Sequence, residues 1–264
     1  MFREVKIYFK LIACSFRSQM QHRASFFMLA FAHFLSTLVD IIGIWVLFDR
    51  FKVIKGWSFP EIALIYGMMH MGFAIAEAFA RGFDTFSQLV KSGEFDRLLL
   101  RPIGTLLQVS SREVQLMRMG RFIQGLLVLV WGCSELGIAF YSLNALIIFI
   151  SIVGIISLFY ALFIIQATLA FWTTETLELM HIVTYGGLES GQYPLHIYKP
   201  WFKGFFTFII PLACVAYYPV AILLKQEDLP FWLGLVTPVA GIAFLYLACQ
   251  LWNFGVCRYQ STGS

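Results

Sequence analysis

The sequence predicts an all-α integral membrane protein: six transmembrane helices forming one domain over residues 1–264. Three observations predict it. The 264 residues are 59% hydrophobic and 17% aromatic, whereas a soluble domain is about 45–50% apolar, and no core in water hides that excess. The apolar residues are gathered into runs of about twenty, the length that crosses about 30 Å of hydrocarbon as a helix. Lys and Arg are unequally shared between alternate connecting segments, as topology demands.

The elements follow in order. In residues 1–23, Phe2, Val5, Phe9, Ile12, Phe16 and Met20 recur every three or four positions, with Arg3, Lys6, Lys10 and Arg17 alongside. A basic stripe beside an apolar one suits a helix lying in the membrane interface, with its cations snorkelling to lipid phosphates; packing on the bundle is the alternative. The amphipathic start and the long apolar run after it do not fit a cleavable signal peptide. A first span covers about Ser25–Phe48 and holds a single charge, Asp40. A second begins at "SFPE", where Ser58 caps, Pro60 sits in the first turn and Glu61 reaches back, and runs to about Ala80 with His70 and Glu77 inside it. A third covers about Phe122–Tyr141 and carries Glu135. Leu143–Trp172 is free of charge over 30 residues, about 45 Å of helix, so it must tilt, protrude or contain a turn. The last span is about Phe231–Val256.

The fifth span has two readings. One is the uncharged run Gly204–Leu224. Yet half of the eight prolines (Pro194, Pro200, Pro211, Pro219) fall here, and proline removes a backbone hydrogen bond and clashes with the preceding turn. The other reading makes residues 189–228 a broken, re-entrant element and gives the crossing to the short, polar Thr173–Leu188. Both yield six spans, with the two termini on one side. Five Lys and Arg precede the first span, seven lie in the 81–121 loop and Arg258 follows the last, against at most six on the opposite side. The excess places the termini and that loop in the cytoplasm.

Chemistry is sparse. There is no GxxxxGK[ST], HExxH or GxSxG, so no catalytic residue, cofactor site or metal site is expected. A net charge of +4 gives no basic face for nucleic acid. Cys14, Cys133, Cys214, Cys249 and Cys257 form no CxxC pair and read as small hydrophobes. Glu178 and His181, with Glu175 nearby, form one ExxH pair, where a di-metal bundle needs two. Carboxylates within spans cost roughly 2.5–3.5 kcal/mol each and should face the bundle or water. Asp40 and Glu77 are the candidates for a pathway, or for a proton site in a proton-coupled carrier. His70 reads as a hydrogen-bonded core residue.

The 81–121 loop is the unusual feature. "QLVKSGEFDRLLLRPIG" is polar and helix-like, with Gly93 and Pro102 as its breaks. An amphipathic helix projecting from a bundle suits a partner's groove; a solvated loop is the alternative.

The loop motif "SGEFDRLLLRP", the amphipathic helix before the first span, and "YPLHIYKPWFKGFFTFIIPLACVAYYPVAILL" with its Pro200-Trp201, Pro211 and Tyr217-Tyr218-Pro219 together resemble the permease subunits of type-2 ABC exporters. The loop motif closely resembles that of a bacterial subfamily of small permeases that work beside a separate ATPase. The resemblance implies a half-transporter in the bacterial inner membrane: two permeases, the same chain or different ones, above two copies of an ABC ATPase subunit that brings the ATP and Mg. It implies that residues 1–23 are a connecting helix and the 81–121 loop a coupling helix, meeting the ATPase through Phe83, Phe86, Ser87, Val90, Lys91, Glu94, Phe95 and Arg97. It implies an outward gate at Trp201, Pro211, Tyr217 and Tyr218, and an amphipathic cargo such as a drug or lipid.

Overall fold

The computed structural model describes residues 2–139, 141–173 and 177–260, with side chains except at 2–5 and 177–179. Helix α1 (Phe2–Gln19) leads through a 3-10 turn into α2 (Arg23–Phe51). A two-stranded antiparallel hairpin, β1 (Val53–Ile54) and β2 (Trp57–Ser58), turns the chain into α3 (Phe59–Asp84). The start of α3 is capped as its sequence dictates: Glu61 Oε2 accepts from the Ser58 backbone N–H at 2.7 Å and from its hydroxyl at 2.9 Å.

Three short helices follow: α4 (Phe86–Lys91), α5 (Glu94–Leu99) and α6 (Thr105–Arg112). Then come α7 (Met119–Glu135) and α8 (Leu143–Leu169). The long uncharged stretch is therefore one 27-residue helix, closed by a turn at Ala170–Trp172. Helix α9 (Leu177–Gly191) precedes α10 (Pro200–Gly204), which continues as the π-helical turn Phe205–Ile209. A second π turn, Ala213–Tyr217, runs into α11 (Tyr218–Leu223), and α12 (Leu233–Val236) and α13 (Val239–Arg258) complete the described chain.

Five helices are long and apolar enough to cross a membrane, and Pro200–Ile209 with Ala213–Leu223 form a pair bent by 84°. The bent pair goes in and comes back at one end of the molecule. Before it, the His196 carbonyl accepts from Lys55 Nζ at 3.2 Å; after it, Gln226 Nε2 donates to Glu61 Oε1 at 3.1 Å. Both partners belong to the hairpin end of the bundle. The element is thus re-entrant, and the second reading of the sequence describes it. Helix α9 runs between the two ends of the bundle, from the level of Asp84 to that of His70 on α3. Its 15 residues span about 22 Å.

Helix α3 is the central post: 89% of its apolar window is buried, against 17% for α1–α2 and 22% for α12–α13. It packs on α7 through glycines. A Cβ on Gly67 would lie 2.7 Å from Leu129 Cβ and 2.8 Å from the Gly125 carbonyl, so the two backbones touch. At the end opposite the hairpin, Tyr8 meets Ser110 at 3.3 Å and the Tyr259 ring meets Phe95 at 5.0 Å. Helix α1, the 85–118 loop and the end of α13 therefore share one end of the bundle, here the loop end.

Candidate functional site

Two features occupy the loop end: the exposed loop and the polar contacts above it.

Helix α3 stops at Thr85, whose hydroxyl donates back to the Arg81 carbonyl at 3.3 Å. The chain turns again at Gly93, where φ is +69°, a conformation that glycine adopts without strain. These two breaks fold α4 against α5 and drive their apolar faces inward. Phe86 packs on Phe95, Phe171 and Trp252 with ring centroids 4.9–5.2 Å apart, and Phe83 lies 5.5 Å from Trp252. This aromatic knot ties the loop to α13 and to the turn after α8.

The knot divides the expected contact set. Phe83, Phe86, Ser87, Val90 and Phe95 are buried in the chain's own packing and stand behind the surface. Lys91, Glu94 and Arg97 are exposed, with Gln88, Leu99 and Leu100. Leu100 is 86% exposed. Glu94 Oε2 accepts from Arg112 at 2.7 Å, and that hydrogen bond and charge hold its carboxyl below the ordinary range.

Beside this ridge, α1 docks on α6. Gln19 ties α1 to the segment after α6, donating to the Val114 carbonyl and accepting from the Leu116 N–H at 3.1 Å. Phe9 and Phe16 remain exposed, so α1 combines packing on one side with an uncovered apolar face. A groove of about 640 Å³ separates it from the loop, with Ile7 and Leu11 on one wall and Arg101, Gln108 and Arg112 on the other.

Above the loop, α3 carries His70, Glu77 and Asp84, seven residues apart and so on one face. Each meets α9, which runs antiparallel. Asp84 Oδ1 lies 3.2 Å from His181 Nε2. Glu77 Oε1 accepts from the Tyr185 hydroxyl at 3.0 Å. His70 Nε2 lies 3.1 Å from Gln192 Oε1; since a carbonyl oxygen only accepts, that nitrogen carries the proton. These contacts form a three-rung ladder. Its lower rungs have further partners: Glu77 pairs with Arg118 at 3.2 Å and Arg121 at 3.1 Å, and Asp84 holds Arg81 and accepts from Gln166 Nε2 at 2.9 Å.

The pathway candidates therefore differ. Glu77 is buried, and both its oxygens are taken by cations. Asp40 is exposed on α2 and forms no salt bridge among the described residues. His70 is 1% exposed and hydrogen-bonded. Glu135 lies exposed at the end of α7. The Glu175 and Glu178 side chains lie outside the described residues. At the hairpin end, Trp201 is exposed and Pro211 sits at the bend. Tyr217 is buried, its hydroxyl 2.8 Å from His196 Nδ1 and 3.1 Å from Glu227 Oε1, and Tyr218 is half-buried beside it. Sequence reasoning missed Asp84, Tyr185, Gln192 and the pairing of Arg118 and Arg121. The seven-residue spacing of His70, Glu77 and Asp84 was the signal that would have found the ladder.

Residues 34–263 match the family described as ABC-2 family transporter protein. No curated protein and no solved structure matches the chain.

Proposed function

The chain belongs to the ABC-2 transporter family, and from that premise we propose that it is the membrane half of an exporter powered by a separate ATPase docked on the 85–101 ridge. The family places it as a membrane-spanning component that works with an ABC ATPase. One observation carries the docking surface. The aromatic knot clamps α4 and α5 to α13 and to the turn after α8 while Leu99, Leu100, Lys91, Glu94 and Arg97 project. A rigid ridge transmits force; a loose loop absorbs it. An 86%-exposed leucine framed by charges has the form of an interface anchor with a polar rim.

The lysine and arginine excess supports a cytoplasmic position for this end, and the membrane is the bacterial inner membrane. Two ATPase copies bring ATP and Mg. A second permease, identical or not, covers the α2 face. Asp40 supports this, because an exposed carboxylate at membrane depth costs roughly 2.5–3.5 kcal/mol if lipid surrounds it, and a facing permease with a wet pathway between removes that cost. Asp40 then lines the pathway, and the cargo is amphipathic. Trp201, Pro211, Tyr217 and Tyr218 belong to the outer gate. A proton-coupled carrier finds less support, since Glu77 is held between two arginines.

Purification with the ATPase and assay of cargo-stimulated ATP hydrolysis tests the reading. Hydrolysis that rises with cargo supports it. Transport by the chain alone, driven by a proton gradient, contradicts it.

A further inference from the structure

We infer that α9 is a lever pivoting at its hairpin end, and that the lower two rungs of the α3–α9 ladder are the latch that its loop end opens and closes. The inference rests on the transporter reading for what drives the lever, and on geometry for the lever itself.

The two ends of α9 are held in different ways. At the hairpin end the contacts are tight and mostly apolar. A Cβ on Gly191 would meet Met69 Cε at 2.5 Å and Leu212 Cδ2 at 3.0 Å, so the helix lies against α3 and the re-entrant element. Leu188 and Gln192 are each 2% exposed, and Tyr198 donates to the Ser190 carbonyl at 2.9 Å. At the loop end Ile182 is 68% exposed and His181 half-exposed. There α9 rests partly on apolar packing, with the Tyr185 ring 5.5 Å from Phe73 and Met180 and Val183 against the core, and two polar rungs join it to α3: His181 on Asp84 and Tyr185 on Glu77.

The consequence of breaking each rung differs as well. If Tyr185 withdraws, Glu77 keeps Arg118 and Arg121. If His181 withdraws, Asp84 keeps Arg81 and Gln166. Neither carboxylate is stranded, so these rungs open without the penalty of an unpaired buried charge. The upper rung has no such reserve. His70 Nδ1 is buried without a hydrogen-bond partner, and loss of Gln192 would leave both ring nitrogens bare. One end of the helix is therefore fixed by tight packing and by a rung that is costly to break. The other is closed by two rungs that are not. Opening at the loop end parts α9 from α3 below Glu77 and admits cargo from that side.

The test uses spin-label distances in the ATPase-bound complex, in a background with the five cysteines replaced. A loop-end pair carries labels at Ile123→Cys and Ile182→Cys; a hairpin-end pair carries them at Trp131→Cys and Ile197→Cys. The loop-end pair is expected to show two populations, and Tyr185→Phe or His181→Asn to raise the longer one by about two- to tenfold, the equivalent of one hydrogen bond. The hairpin-end pair stays single and unshifted. A loop-end pair that is single and unmoved by either substitution overturns the lever. So does equal movement of both pairs on adding a non-hydrolysable ATP analogue, which would leave ATP coupling standing. If the analogue moves neither pair while Tyr185→Phe opens the loop end, the lever stands and the coupling proposed above falls.

Discussion

Helix α3 meets α7 and α9 by different means, apart from the Glu77–Arg121 ion pair that also ties it to α7. Against α7 it uses glycine faces that bring backbones into contact, with Gly67 over Gly125 and Leu129. Against α9 it uses a polar rung every seven residues. Close-packed interfaces are stiff because any displacement loses many contacts together. Polar rungs with spare partners come apart singly. The α3–α7 pair is built as a frame, and α9 as a part that moves against it.

That comparison breaks if the frame tolerates bulk. Gly67→Leu is expected to be the most damaging change, because the side chain must enter the Leu129 backbone. Overpacking costs about 1–3 kcal/mol, and more where backbone cannot yield. Loss of monodisperse protein in detergent is the expected outcome; normal yield and melting temperature would refute the frame. Gln192→Leu comes next. It strands the buried His70 at a cost of roughly 1–3 kcal/mol, read as a lower melting temperature. Tyr185→Phe should cost only about 0.5–1.5 kcal/mol, since Glu77 keeps its arginines, and a drop as large as that for Gln192→Leu would erase the contrast between upper and lower rungs.

How much of this was legible in the sequence follows the same division. The spans of the frame were readable because uncharged runs announce themselves, and "SFPE" marked the start of α3. The fifth crossing stayed open between two readings, because α9 is short and carries polar residues that now prove to be rungs. The ladder is not legible from His70 or Glu77 alone, and Arg118 and Arg121 fall among the loop charges in the sequence although they face Glu77. The ridge was half legible. Periodicity shows that a helix has an apolar face; it does not tell whether that face meets a partner or the chain's own core. Here the breaks at Thr85 and Gly93 turn Phe86 and Phe95 onto Trp252, leaving the charged residues and Leu100 outside.

The smallest expected effect concerns the ridge. Arg112 holds the Glu94 carboxyl below the ordinary range, so whatever the pair adds is fully present above the ordinary glutamate pKa and is lost as pH falls through the lowered one. Titration of Glu94 by carbon NMR should show the depressed value, and Arg112→Ala should restore an ordinary one with no change in melting temperature.

The ridge also allows the most direct test of the whole account. Leu100→Glu alters an exposed side chain, so folding should be untouched, with stability changing by no more than about 0.5 kcal/mol. The measurement is the amount of ABC ATPase that co-purifies with the chain from native membranes. The account predicts a stoichiometric ATPase with the wild-type chain and at least about a tenfold loss with Leu100→Glu, the scale of an interface anchor. Equal recovery with both chains, each eluting as the same folded species, would contradict it.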